Sequence, residues 1–205
     1  MKILLYLLAL MLAAVPNAGL FAEEAILRPD LSIGDWWEST GYRFTVIARN
    51  DDGYEMLRSP KGKAADPAVP GQTKLYVTRD FWTSRRVDPD GTVTRFTEDT
   101  WYQWVYFPLT VGSRWSFLVR GTDKRDGSSR RYDHDCSAVK WEEIDVSGKL
   151  VRAMRIECKS NIRGVASSGW FHTAWYAPEA KRIVRLTSQY SGGPTQEWIA
   201  WSVQP

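Results

Sequence analysis

The chain has 205 residues, with 27 basic side chains against 24 acidic ones (formal charge +3), two histidines, two cysteines and eleven tryptophans. So nearly balanced a charge makes no electrostatic case for nucleic acid as a partner, and two histidines leave little room for acid–base schemes that depend on them. The length suits one domain with a substantial core.

The N-terminus reads as a secretory leader. Met1 and Lys2 precede the uncharged run "ILLYLLALMLAAV" (residues 3–15), then Pro16 and small residues. The run is too short for a transmembrane helix and lacks its flanks. Cleavage is expected after Ala22, with Ala18 and Gly19 as alternatives. That leaves residues 23–205 as one all-β domain with 26 basic against 24 acidic side chains. No cysteine lies near the cut to take a lipid, and no second apolar run is long enough to span a bilayer. The expectation is an exported bacterial protein, periplasmic or secreted, with no transmembrane anchor once the leader is gone.

Beyond the leader, β-formers alternate between turn signals. "GYRFTVIAR" (41–49), "NDDG" and "YEMLRS" make a hairpin. "SPKGKAADPAVPGQ" (59–72) is a long exposed loop. "TKLYVTRD" and "WTSRRV" follow, then "DPDG" (88–91) turns into "TVTRFT" with Pro and Gly where such a turn wants them. "EDTWYQWVYF" (98–107) is the least regular piece and has room for a short helical turn. After "WSFLVRG", the charged stretch "GTDKRDGSSRRYD" (121–133) reads as a solvated loop. "GWFHTAWY" (169–176), "RIVRLTSQY" and a last strand "QEWIAWSV" complete the chain. The class is all-β: ten to twelve mostly antiparallel strands in a curved sheet, half-barrel or sandwich.

One phrase occurs twice. "LSIGDWW" (31–37) and "LTVGSRW" (109–115) share Leu-[Ser/Thr]-[Ile/Val]-Gly-x-x-Trp. Glycine permits the positive φ of a kink, and the tryptophan beyond it starts a new strand against the core. The doubling points to an internal pseudo-repeat with entries at 31–37 and 109–115.

Cys136 and Cys158 lie symmetrically about Ser147-Gly148, between two β-like runs. In an exported chain an even count implies a disulfide. A three-residue loop would set the cysteines opposite each other on a hairpin. A two-residue loop would instead align Trp141 with Met154 and Val139 with Ile156, and a bulge would reconcile the two registers. Closing this loop contributes roughly 3 kcal/mol in the chain-entropy model.

"FPLTVGSRWSF" (107–117), the hairpin "CSAVKWEEIDVSG" (136–148) with "AMRIE", and "TAWYAPEAKRIVRL" (173–186) occur in that order. The series resembles a family of uncharacterised exported bacterial β-proteins marked by Pro-Leu-x-x-Gly-x-x-Trp and Trp-Tyr-Ala-Pro. The likeness covers residues 100–190 and departs at Val146-Ser147-Gly148-Lys149, where the family's turn has a proline. It implies a fold similar in outline to the half-barrels of lipoprotein carriers, and implies no chemistry.

Nothing catalytic stands out. The chain has no nucleophile elbow, phosphate loop, dinucleotide fingerprint or zinc-protease motif, and neither a cofactor nor a metal site is expected. His134, between Asp133 and Asp135, reads as a solvent-facing strand end, and His172 as half-buried packing. Glu142 and Glu143 are adjacent, hence on opposite strand faces. The tryptophans are the chief candidates for a site. Trp101, Trp104, Trp175, Trp198 and Trp201 could line a cleft, stacking on sugar rings or enclosing an apolar molecule. Trp198 and Trp201, three apart on a regular strand, would face opposite sides. The expectation is a non-enzymatic binding or carrier domain of the cell envelope for a lipid-like or glycan ligand. The alternative is a structural or protein- or glycan-interaction module with a filled core, and a hydrolase comes a distant third.

Overall fold

The computed structural model describes residues 25–39, 41–63, 65–66, 69, 71–97, 102–122, 128–163, 165, 169–191, 193–199 and 202–203. The leader expected at 1–22 lies outside them. Thirteen strands form two antiparallel sheets. The first holds β1 (Trp36–Ser39), β2 (Tyr42–Asn50), β3 (Gly53–Pro60), β4 (Thr73–Thr78), β5 (Thr83–Val87) and β6 (Val93–Arg95) in sequence order. The second holds β7 (Arg114–Thr122), β8 (Ser129–Val146), β9 (Lys149–Ile162), β10 (Gly169–Ala177), β11 (Arg182–Tyr190) and β12 (Thr195–Ile199), likewise in order. β13 (Ser202–Val203) leaves the second half and pairs with β1. Neither sheet closes on itself among the described residues.

The doubled phrase makes one turn twice. The Gly34 N–H donates to the Val46 carbonyl and the Gly112 N–H to the Ala138 carbonyl (2.9 and 2.8 Å). Val46 and Ala138 donate back to the carbonyls of Asp35 and Ser113 (2.9 Å each). The side chains of Asp35 and Ser113 accept from the N–H groups of Ser32 and Thr110 (2.9 and 3.0 Å). Both glycines are left-handed, at φ 96° and 86°, which a side chain would resist. Leu31 and Leu109, at the head of each phrase, are buried.

The likeness runs through both meanders. Val46 pairs with Met56 and Ala138 with Ile156, and a bulge follows each, at Ile47 and Val139. A second pair of bulges separates Tyr76 from Val77 and Trp175 from Tyr176. At each, an arginine on the next strand covers the ring: Arg85 lies over Tyr76 (3.5 Å) and Arg185 over Trp175 (5.0 Å). The hairpins beyond pass through positive φ at Phe81 and Lys181.

The bulge at Val139 settles the cysteine hairpin. The loop is the two-residue Ser147-Gly148, both at positive φ, which sets Trp141 opposite Met154. Past the bulge Ala138, not Val139, pairs with Ile156, and Cys136 falls opposite Cys158. The two are disulfide-bonded with Cα atoms 4.1 Å apart.

Three expectations need correction. "QEWIAWSV" does not serve one sheet: Thr195–Ile199 pairs in the second and Ser202–Val203 in the first, so alternation cannot be carried from Trp198 to Trp201. Most of the charged stretch 121–133 is strand, because Gly121 and Thr122 pair with Arg130 and Ser129. His134 is buried, 2% exposed, since the outward positions of β8 are taken by Asp133 and Asp135.

Candidate binding cavity

The two sheets fill their inner faces differently. In the second, the row Ala138–Ile156–Ala174 is fully buried and packs with Leu109, Trp115 and Tyr176. In the first, the matching row Val46–Met56–Leu75 ends in a residue that is only half-buried. The space beyond Leu75 is a cavity of about 990 Å³ between the sheets, at the upper end of what small-molecule sites occupy.

One wall is the inner face of the first sheet, with Trp37, Phe44, Leu75 and Val77. Trp37 and Phe44 stack, their centroids 5.8 Å apart. A second wall is the connection between the halves, with Trp104 and Phe107. Residues 102–106 form neither strand nor helix. The third is the β10–β11 hairpin, with Tyr176, Lys181, Arg182 and Ile183. Many large apolar side chains here, Trp37, Phe44, Leu75, Trp104 and Phe107 among them, are only half-buried where they face this space.

Polar groups gather at the hairpin. Lys181 Nζ donates to Asp35 Oδ2 (2.9 Å), joining the second half to the first half's entry turn. Burial pushes the Asp35 carboxyl up, but the bonds from Lys181 and the Ser32 N–H outweigh it, and its pKa lies below the ordinary value. Arg182 lies over the Trp37 ring, its guanidinium carbon 4.3 Å from the centroid. The Tyr176 hydroxyl is buried without a partner among the described residues, and burial raises its pKa.

Trp104 links the cavity to the two histidines. Its ring centroid is 4.8 Å from that of His172 and 5.9 Å from that of His134, and Tyr102 stacks on it (5.1 Å) while also meeting His134 edge-on (5.3 Å). His134 stacks on Phe117 (4.5 Å). His134 Nδ1 bonds the Ser160 hydroxyl and His172 Nδ1 the Ser188 hydroxyl (2.8 Å). Burial, with His172 adding to it, lowers the His134 pKa to about 4, and burial lowers that of His172 to about 4. Both rings are neutral at pH 7. No hydrogen bond or ion pair joins either ring to a carboxylate among the described residues. Nor does any group of three or more His, Cys, Asp or Glu stand ready for a metal ion there.

Of the five tryptophans singled out, Trp104 lines the cavity. Trp175 lies apart from it, donating to Glu142 Oε1 (2.7 Å) and packing beside the cluster of Ile144, Val151 and Val184. Trp101, Trp201 and the side chain of Trp198 lie outside what the structure describes. Trp37, Phe44 and Arg182 carry no sequence signal of a site: each reads as an ordinary strand residue until the second half is laid against the first.

No family model and no curated protein match the chain. The resemblance drawn from Pro108–Trp115 and Trp175–Pro178 therefore rests on those motifs alone. A solved structure of a hypothetical lipoprotein, YmcC from Escherichia coli (K12), is similar with a TM-score of 0.40 and 10% identity over 83% of each chain. A likeness of that strength carries neither fold nor role to this protein.

Proposed function

We propose that the protein is a non-enzymatic binding or carrier domain of the cell envelope, holding an apolar or amphiphilic molecule between its two sheets. The cavity carries this. About 990 Å³ is bounded by Trp37, Phe44, Leu75, Phe81, Trp104 and Phe107, and a water-filled space so lined is a poor use of apolar surface. The leader-like N-terminus and the Cys136–Cys158 bridge support export to an oxidising compartment. The neutral, serine-bonded histidines support packing over proton transfer, which asks for a pKa near the working pH.

Native mass spectrometry of the protein, secreted by its host and purified without detergent, tests this. A retained mass that extracts into organic solvent is the expected result and gives the class of the cargo. A bare protein mass, together with no uptake of the neutral fluorophore N-phenyl-1-naphthylamine, would overturn it in favour of an interaction module.

A further inference from the structure

We infer that the cavity takes an amphiphile with an anionic oxygen head, a carboxylate or a phosphate, and that Arg182 holds that head. This rests on the binding function proposed above and names the class of its ligand.

Arg182 stands on the cavity wall at the start of β11, half-buried, and its hydrogen-bonding capacity is nearly unused. Nε makes one long bond to the Ile183 carbonyl (3.4 Å). Among the described residues, Nη1 is buried with no acceptor and Nη2 has no hydrogen bond. No carboxylate there forms an ion pair with it. The carboxylates that line the cavity are otherwise placed: Asp35 is taken by Lys181 (2.9 Å), Asp80 by Arg28 (2.7 Å), and Glu179 is exposed.

The Nη1 edge of this guanidinium is withdrawn from water without an acceptor or a counter-charge among the described residues, which is unfavourable. The face of Trp37 offsets part of this. Burial nevertheless draws the Arg182 pKa down to about 9, the direction expected of a cation short of an anion. The Tyr176 hydroxyl, also buried and unpartnered among the described residues, sits on the neighbouring strand of the same wall. The guanidinium fork matches the paired oxygens of a carboxylate or phosphate.

The remainder of the cavity selects the other end of the ligand. From Arg182 the wall continues over Trp37 to Phe44, Leu75 and Val77, all apolar. A neutral lipid would leave the guanidinium unpaired, and a cationic one would add like charge. An anionic head with an apolar chain satisfies both ends.

The test is displacement of bound N-phenyl-1-naphthylamine by palmitate, hexadecyl phosphate and hexadecanol, which share one chain and differ in the head. On the wild-type protein at least one anion should act at a concentration about tenfold or more below the alcohol, as a hydrogen-bonded ion pair warrants. The better anion tells carboxylate from phosphate. In Arg182→Gln the ratio between the better anion and hexadecanol should fall to about one, whatever happens to hexadecanol itself, and Arg182→Lys should keep part of that ratio. Equal displacement by all three on the wild type overturns the inference and leaves the cavity function standing. An anion advantage that survives in a folded Arg182→Gln protein overturns the role of Arg182. If no compound displaces the fluorophore, the binding function fails with it. If Arg182→Gln does not fold, the wild-type comparison still decides the anionic head, and an undiminished anion advantage in Arg182→Lys overturns the role of Arg182.

Discussion

Val46 and Ala138 hold the same place in two copies of one meander. Each accepts a hydrogen bond from the glycine of a Leu-x-x-Gly phrase, and each starts a one-residue bulge in the strand that follows. The correspondence extends to Tyr76 with Trp175, Arg85 with Arg185 and Phe81 with Lys181. It fails in what fills the inner face. The second copy has a disulfide where the first sets Phe44 opposite Arg58. Small Ala174 there stands for Leu75, and the linker's Trp104 and Phe107 pack onto the second sheet's core. One backbone plan, packed tightly once and loosely once, leaves the cavity on the loose side.

If the two entry turns are equivalent, alanine at either glycine should cost alike. Neither Gly34 nor Gly112 has a neighbour within 4 Å of an added Cβ, so the cost is conformational strain, about 1–2 kcal/mol. Gly34→Ala and Gly112→Ala should each lower Tm by roughly 3–6 °C for a chain of this size, followed by circular dichroism. A large effect at one turn and none at the other would break the equivalence.

Removing the bridge acts mainly on the unfolded chain. Reduction, or Cys136→Ala with Cys158→Ala, should cost roughly 3 kcal/mol, read from urea unfolding, with little change in the folded spectrum. The first sheet holds the same register with Phe44 opposite Arg58 and no bridge, so the strand pairing itself should persist. Loss of the folded signal without denaturant would show that the second sheet needs its covalent link to form.

Most strands were legible because their pairing is local: each meander hairpin is announced by alternation and by turns such as Asp88–Gly91 and Ser147-Gly148. The doubled phrase marks two turns with the same hydrogen bonds because its glycine and leucine perform local tasks. The cavity was not legible, since it arises where Arg182 of one half meets Trp37 of the other, 145 positions apart. An arginine just past a Pro-Glu-Ala-Lys turn reads as solvent-facing. His134 misleads for the opposite reason. Its flanking aspartates drew attention to solvent, although strict alternation that places Asp133 and Asp135 outside places His134 within.

The two histidines set an acid limit on stability. Both folded pKa values, about 4, lie below the ordinary 6.5. As pH falls, the unfolded chain therefore takes up protons first, and stability declines from about pH 6.5 down to about pH 4, below which both states are protonated. For His134, the more buried, the loss is roughly 2–3 kcal/mol. Urea unfolding at pH 7 and 4.5 measures it, in a window mostly above the titration of the carboxylates. His134→Asn should start less stable at pH 7 and show a flatter decline. A stability unchanged between those pH values would mean that the rings titrate as exposed histidines do.

Leu75 and Ala174 are the sharpest probe of the cavity, because they hold matching places in the two sheets, one facing the cavity and the other a packed row. Leu75 is half-buried on the cavity wall, while Ala174 is 1% exposed within the packed row of the second sheet. Phenylalanine at 75 extends into existing space and should shift Tm by no more than roughly 3 °C. At 174 the same side chain must displace its neighbours, costing about 3 kcal/mol or more. Uptake of N-phenyl-1-naphthylamine should fall several-fold in Leu75→Phe, since the added ring occupies the volume the fluorophore needs. Comparable destabilisation by both substitutions would mean that the first sheet's inner face is as full as the second's. Unchanged uptake in a stable Leu75→Phe protein would place the fluorophore elsewhere, and the cavity would lose its claim to be the binding site.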